Sequence, residues 1–335
     1  MDKLINEVLK RIRKEAVLRA GDAVLVGFSG GADSVCLLDM LASVRRLLKI
    51  EVYAMHINHQ LRGDEAERDE LFCREFAREA AVDFTCKRLD VLSYQEEKKL
   101  SLEEAARILR YDALEQRQKE LSLATGKKVW IATAHHADDQ AETILMNMLR
   151  GSGLKGMGGM RPARDCILRP LLGIGKKDIL AYIERNSLSY VTDSTNLCND
   201  YTRNKIRNEI LPVLNRDVNT RASEHINSIG DICREADDYF TRIAREYIEN
   251  EAEILEDGRA ILLNQNVLKE KDKIIRRYVI IEGLRSLNIP LKDWGERHFE
   301  DIDALLFMSK GAHVDLPGKI MAENKYKETI IYNKF

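Results

Sequence analysis

No two of the six cysteines, at positions 36, 73, 86, 166, 198 and 233, are spaced as Cys-x-x-Cys. That scatter argues against a zinc ribbon or a disulfide framework and fits a reducing, cytoplasmic setting. No apolar run is long enough to cross a bilayer and no signal peptide opens the sequence, so no membrane partner is expected. Residues 1–14 read instead as a charged amphipathic helix. An excess of positive charge is also missing. The formal net charge is −2, so nucleic acid would have to be met by local basic patches. Repeats and low-complexity tracts are absent. Hydrophobic residues make up 44% of the 335, enough for real cores and, at this length, for about two domains.

The first half alternates apolar runs with helical spacing. Strands are expected over residues 23–28, 51–57, 83–89 and 129–134, and helices over 32–48, 64–81, 102–123 and 137–149. Regular βα alternation predicts a parallel sheet with helices on both faces. Residues 151–160 hold five glycines and read as a loop at a domain edge. Gly151-Ser152-Gly153-Leu154-Lys155-Gly156 matches the dinucleotide fingerprint, but a helix precedes it where that fingerprint needs a strand. A flexible flap near the active site is the expected meaning. A short strand follows at 167–172 and a helix at 176–186. Residues 190–199 are polar and turn-rich, and 201–251 are helical almost throughout. Two more helices are expected at 265–287 and 293–308, with short strands over 313–332 around Pro317-Gly318. The α/β half is therefore followed by a second, mainly helical domain. The expected division is 1–160, a linker and contact region at 161–215, and 216–335.

Between the first strand and the first helix after it lies Phe28-Ser29-Gly30-Gly31-Ala32-Asp33-Ser34. Two glycines let the backbone approach oxygens closely, and the new helix aims free N–H groups at an anion. Ser29 and Ser34 add hydroxyls, and Asp33 can hold Mg2+. The same residues also make an ordinary capped turn. No Gly-Lys-Ser/Thr follows, so this is not a Walker loop.

In a parallel sheet the carboxyl ends of the strands share one edge, where ligands bind. Four of the seven histidines fall at two such ends, in His56-Ile57-Asn58-His59 and His135-His136. The second run continues Ala137-Asp138-Asp139-Gln140-Ala141-Glu142-Thr143. His56 and His59 are also plausible structural histidines. The His135–Asp139 run could suit zinc or a two-metal site, and Asp138 or Asp139 could simply cap a helix. Glu142 shares a helical face with Asp138 and Asp139. The helix from Ser101 opens with a capping-box pattern and carries Arg107, Arg110 and Tyr111. Arg110 is placed to stabilise a transferring phosphate. Arg203, Lys205 and Arg207, with Arg203 and Arg207 one turn apart on one face, are read either as part of a solvated helix or as a grip on RNA phosphates.

Together these runs resemble the PP-loop ATP pyrophosphatase superfamily and, within it, the tRNA(Ile)-lysidine synthetases. The matching runs include residues 29–34, 56–63, 106–111, 135–143, 149–153 and 169–172. Asp193-Ser194-Thr195-Asn196, residues 201–207 and Val314-Asp315-Leu316-Pro317-Gly318 match as well. The resemblance thus covers nearly the whole chain. It implies a Rossmann-like, adenine-nucleotide α-hydrolase-like fold and a two-step reaction using ATP and Mg2+. In that reaction ATP adenylates O2 of the wobble cytidine of a tRNA(Ile) with a CAU anticodon. The ε-amine of free L-lysine then displaces AMP from C2. By the same resemblance Ser29, Gly30, Gly31, Ala32, Asp33 and Ser34 hold phosphates, and His56 and Asn58 meet the nucleoside. Arg110 and His135 stabilise the phosphoryl group, and Asp139 and Glu142 serve magnesium and the lysine amine, with Asp33 and Asp139 as the metal pair. Arg203, Lys205 and Arg207 meet the tRNA, and a homodimer is compatible with the resemblance. The rival readings are a tRNA thiolase of the same superfamily, expected to carry paired cysteines, an amide ligase, and a nucleotide- or RNA-binding module without turnover. Many members of the family carry a further C-terminal domain that grips the acceptor stem, whereas the sequence here ends soon after Gly318.

Overall fold

The computed structural model describes residues 2–15, 17–61, 63–192, 202–255 and 258–334. The chain divides into two compact units, residues 1–230 and 231–335.

The first unit opens with α1 (Lys3–Glu15), which buries Leu4, Ile5, Val8, Leu9 and Ile12 along one helical stripe. Then come β1 (Ala23–Gly27), α2 (Ala32–Leu48), β2 (Glu51–Asn58), α3 (Asp64–Glu79), β3 (Asp83–Arg88), α4 (Val91–Lys98), α5 (Leu102–Thr125), β4 (Val129–Ala132) and α6 (Ala137–Leu149). Next are α7 (Leu154–Met157), the two-residue strands β5 (Ala163–Arg164) and β6 (Ile167–Leu168), and α8 (Lys176–Arg185). The sheet order is β3-β2-β1-β4-β6-β5, parallel except for β5 against β6. β4 is buried at every residue, as expected of a strand covered on both faces. Strand order reverses between β1 and β4, which pair side by side with Val26 opposite Ala132. The loops leaving their carboxyl ends therefore hang over one crevice, the usual ligand position in such sheets.

The expected βα alternation is present, with α4 as an addition. One expectation is corrected. Residues 151–160 are not a free flap: Gln140, buried in α6, accepts from the Met160 amide at 2.8 Å and donates to its carbonyl at 3.1 Å. Asn147 donates to the Gly156 carbonyl at 2.7 Å. The segment after 201 is helical almost throughout, as expected. It runs as α9 (Thr202–Lys205), a π-helical turn (Ile206–Ile210), α10 (Leu211–Val213), a second π-helical turn (Leu214–Val218) and α11 (Ala222–Glu251). Pro212 removes one N–H donor from this stretch, and Asn219 is extended (φ −156°), which ends the second turn.

The contact division falls inside α11 rather than at 160 and 215. Residues 161–192 stay with the first unit because β6 joins the parallel sheet and Tyr182 of α8 donates to Asp39 of α2 at 2.6 Å.

The second unit carries β7 (Ala252–Leu255), β8 (Ala260–Asn264), α12 (Gln265–Lys269), α13 (Lys273–Ser286), α14 (Glu296–Leu305), β9 (His313–Leu316), β10 (Ile320–Asn324) and β11 (Glu328–Asn333). Its strands form an antiparallel sheet in the order β7-β8-β11-β10-β9. The mainly helical expectation thus overlooked β7 and β8. The core joins Val279, Ile280 and Leu284 of α13 to Ile302 of α14 and to Ile261 and Ile331 of the sheet. Among the described residues no helix is long and apolar enough to cross a membrane.

Candidate active site

The turn after β1 is built around Gly30, at φ +84°. A Cβ there would lie 2.8 Å from Val191 Cγ2 and 3.0 Å from Cys73 Sγ, so both the backbone sign and the space require glycine. The Gly30 carbonyl accepts from the Val191 amide at 2.9 Å. Ser34 Oγ donates to the Gly31 carbonyl at 2.9 Å and lies 3.2 Å from Ser29 Oγ. α2 has Gly31 at its N-cap, with no side chain satisfying the amides of its first turn. Those amides face the crevice edge, ready for phosphate oxygens. Ala32 is buried beside them, leaving Asp33 as the acidic residue of that turn.

Asp33 is held by two residues from other strand ends. Lys176 Nζ, on the first residue of α8, reaches its Oδ1 at 2.5 Å. His136 Nε2 lies 3.7 Å from its Oδ2. His136 caps α6, and its Nδ1 accepts from the Asp138 amide at 3.2 Å. The proton therefore sits on Nε2, toward the two carboxylates of Asp33 and Asp139, the latter at 3.5 Å. Asp139 Oδ2 in turn accepts from the His136 amide at 3.0 Å, closing a capping box. Although burial works against its charge, His136 and Arg207 hold the Asp139 carboxyl below the usual range.

Glu142, one turn further along α6, is 1% exposed. Arg207 donates to it from Nε at 2.6 Å and from Nη2 at 2.9 Å, and Arg203 donates from Nε at 3.1 Å. Arg207 Nη2 also reaches Asp139 Oδ1 at 2.5 Å. Arg203 and Arg207, expected to clamp tRNA phosphates, are paired with carboxylates here: a buried carboxylate cannot stay charged without partners, and these two arginines supply them. Of the three basic residues only Lys205 is exposed.

His135 lies beside this network, its Nδ1 2.9 Å from Thr133 Oγ1. Burial, reinforced by Arg169, Arg203 and Arg107 against the pull of Asp139, lowers its pKa to about 4. It is thus a neutral hydrogen-bonding group near pH 7. Arg110 stands on α5, exposed by surface area, with its pKa depressed by surrounding protein and by Arg107 and Arg203.

His56 and Asn58 end β2 and are both buried. His56 Nδ1 meets the Phe28 carbonyl at 3.0 Å. Asn58 donates to Glu70 at 3.2 Å and accepts from the Gln60 amide at 2.9 Å. These bonds shape the chain beside the turn after β1. Arg62, the 193–196 motif and Tyr201 lie outside the described residues. Among those described, no three His, Cys, Asp or Glu side chains are grouped to hold a metal, so the zinc or two-metal alternative at residues 135–139 finds no ligand set.

Asp33, His135, Asp139, Glu142, Arg203 and Arg207 are thus linked through contacts or shared electrostatics around the turn after β1. Lys176 and His136 were not singled out by sequence. Lys176 is 143 residues from Asp33, and only the sheet order brings α8 to α2. His136 stood inside a noticed run, but its capping role depends on the backbone.

Residues 1–214 match the family model described as a PP-loop domain. The chain is 35% identical over 328 residues to a tRNA(Ile)-lysidine synthase of Clostridium perfringens, covering 96% of this chain and 67% of that protein. It is 34% identical over 333 residues to one from Clostridioides difficile, covering 99% and 71%. A third, from Parabacteroides distasonis, is 42% identical over 231 residues, covering 67% and 51%. Among solved structures, a U34-tRNA thiolase from Methanococcus maripaludis aligns at a TM-score of 0.53 and 19% identity, covering 69% of this chain and 79% of that one. That likeness shows the fold alone.

Proposed function

Because the chain belongs to the PP-loop family of tRNA(Ile)-lysidine synthases, we infer that it ligates free L-lysine to C2 of cytidine 34 of a tRNA(Ile) with a CAU anticodon. The product, lysidine, pairs with A in place of G, so decoding changes from AUG to AUA. A pyrimidine carbonyl is a poor electrophile. The first step makes its oxygen a leaving group: O2 attacks the α-phosphorus of ATP, and pyrophosphate departs. In the second, the ε-amine of lysine attacks C2, loses a proton, and AMP leaves.

The observation that carries this reading is the joining of an uncapped helix N-terminus to a carboxylate pair in one crevice. The amides of α2, with Ser29 and Ser34, suit the phosphates. Arg110 supplies charge where the leaving group develops, and neutral His135 supplies a hydrogen bond rather than a second positive charge. Asp139 and Glu142 suit the lysine ammonium: they already hold guanidinium groups, and a carboxylate there orients the amine and accepts its proton. Lys205 is the exposed cation for the RNA backbone, with Arg203 and Arg207 behind it. The cytidine must leave the anticodon stack to enter.

Magnesium uses one or two carboxylates and completes its shell with phosphate oxygens and water. Asp33 and Asp139 both approach His136 Nε2, and Lys176 occupies the other oxygen of Asp33, so the donors present fit this ion. When bound it would neutralise phosphate charge.

The test is a pyrophosphate-release assay with separated tRNAs and free amino acids. Lysine should enter isoleucine tRNA, and Asp33→Ala or Glu142→Ala should reduce incorporation at least a hundredfold. Pyrophosphate release without RNA, or sulfur transfer into the tRNA, would overturn the reading.

A further inference from the structure

Lys176 holds the carboxylate that a metal ion would claim. It is the first residue of α8, directly after Gly175. Its Nζ lies 2.5 Å from Asp33 Oδ1, and among the described residues no other carboxylate comes within 4.0 Å of it. The two side chains are 35% and 29% exposed, so the pair is open to a ligand rather than sealed in the core. The backbone beneath the lysine is fixed. The Ala137 amide of α6 donates to the Ile174 carbonyl at 2.9 Å, and Tyr182 donates to Asp39 of α2 at 2.6 Å. The ammonium itself is a point charge on a flexible stem and can turn without moving α8. The two oxygens of Asp33 also face different neighbours. Oδ2 looks toward His136 Nε2 at 3.7 Å, and the same nitrogen lies 3.5 Å from Asp139. Oδ1, turned to α8, takes the lysine.

We propose that Lys176 is a counterion that changes partners: it neutralises Asp33 in the free protein and moves to the β- and γ-phosphate oxygens when magnesium and ATP bind. The exchange rests on the ATP-consuming step of the reading above and deepens it. Magnesium demands a near-ideal octahedral shell, and an ammonium on the same carboxylate repels it, so the two cations compete for Asp33. The displaced ammonium needs an anion, and a polyphosphate seated on the amides of α2 supplies one within reach of the same stem. The amino acid and cytidine belong on the Asp139 and Glu142 side. Lys176, on the far oxygen of Asp33, therefore stands on the side left to the departing pyrophosphate. Two effects of opposite sign follow. Without nucleotide, Lys176 keeps a lone divalent ion off Asp33, so the metal enters together with ATP. With nucleotide, the ammonium lies where charge grows as O2 attacks the α-phosphorus. The bond from that phosphorus to its bridging oxygen breaks, and the electron pair leaves on pyrophosphate. Lys176 gives up no proton. A merely structural ion pair is the rival, but a pair this exposed adds little to stability, and it predicts neither effect.

The experiment uses the full chain without tRNA, in wild type, Lys176→Met, Lys176→Arg and Lys176→Gln. Calorimetric titration with Mg2+ present gives the affinities for ATP, pyrophosphate and AMP. Electron spin resonance gives the binding of Mn2+ alone, without nucleotide. Lys176→Met should weaken ATP and pyrophosphate about tenfold, the loss of one charge-assisted contact, and leave AMP within about twofold of wild type. Lys176→Arg should recover part of the pyrophosphate affinity. In the nucleotide-free titration Lys176→Met should bind Mn2+ about tenfold more tightly than wild type, and adding Asp33→Asn should abolish that gain. Equal losses for ATP and AMP, unchanged pyrophosphate affinity, or Mn2+ binding no tighter than in wild type would each overturn the exchange. Retained AMP binding shows that the site is folded; where Lys176→Met lowers the thermal midpoint, Lys176→Gln decides on the same ratios. A wild type that shows these differences from its variants yet ligates no lysine would fail the functional reading alone, and the exchange would stand.

Discussion

His135 gives the residue-scale consequence that pH can expose. Its pKa is near 4 in the folded protein against an ordinary 6.5. Between those values the unfolded chain binds the proton and the folded chain does not, so stability rises with pH across that window and is lost on acidification. A shift of this size corresponds to as much as about 3 kcal/mol. Asp139 acts in the same direction at lower pH: its depressed pKa means that stability is lost as pH falls below the ordinary carboxylate value of 3.8. Urea midpoints measured from pH 7 to pH 4 should therefore fall less steeply in His135→Asn than in wild type. An identical slope would mean that His135 takes up its proton normally. Gly30 makes a second residue-scale case. Gly30→Ala would place a Cβ against Val191 and Cys73 at positive φ, costing about 2–4 kcal/mol from backbone strain and overpacking together. Chemical denaturation should show that loss, and the KM for ATP should rise with it.

Between elements, the clasp of Glu142 by Arg203 and Arg207 joins α6 to the chain around α9. It also explains why part of this site was hard to read from sequence. Alternation of apolar and helical spacing revealed β1 to β4 because each buried strand carries its own pattern. The turn at residues 29–34 was legible because two glycines between a strand and a helix have few uses. Arg203 and Arg207 read as a grip on RNA phosphates or a solvated helix, and their pairing with Glu142 was not legible, because those partners lie more than sixty residues upstream and periodicity carries no information about such distances. β7 and β8 were missed for a similar reason: they are four and five residues long, and the hairpin they make joins a sheet only through the pairing of β8 with β11, far along the chain. The clasp itself is testable. Glu142→Gln keeps the volume but removes the charge, leaving both guanidinium groups with Asp139 as their remaining carboxylate. Because the arginine side chains are partly exposed, solvent softens the loss, and a destabilisation of about 1–3 kcal/mol is expected in urea titrations. An unchanged midpoint would show that the clasp contributes nothing net.

For the whole molecule, the decisive fact is that there are separate hydrophobic cores. One gathers α1, α2 and the parallel sheet around residues such as Leu37 and Trp130. Another gathers α13, α14 and the antiparallel sheet around Leu284 and Ile302. Every residue assigned to the nucleotide and amino acid lies in residues 1–230. A ligand stabilises only what it binds, by about 2.7 kcal/mol at a hundred times its Kd. Burial of Leu284 is complete, so Leu284→Ala should cost about 2–5 kcal/mol in its own core. Calorimetry is therefore expected to resolve two transitions. ATP should raise the one that Gly30→Ala lowers, while Leu284→Ala should lower the other and leave the ATP shift intact. A single transition moved by both substitutions would mean that the two cores melt as one, and the stability gained from ATP would then extend to the antiparallel sheet as well.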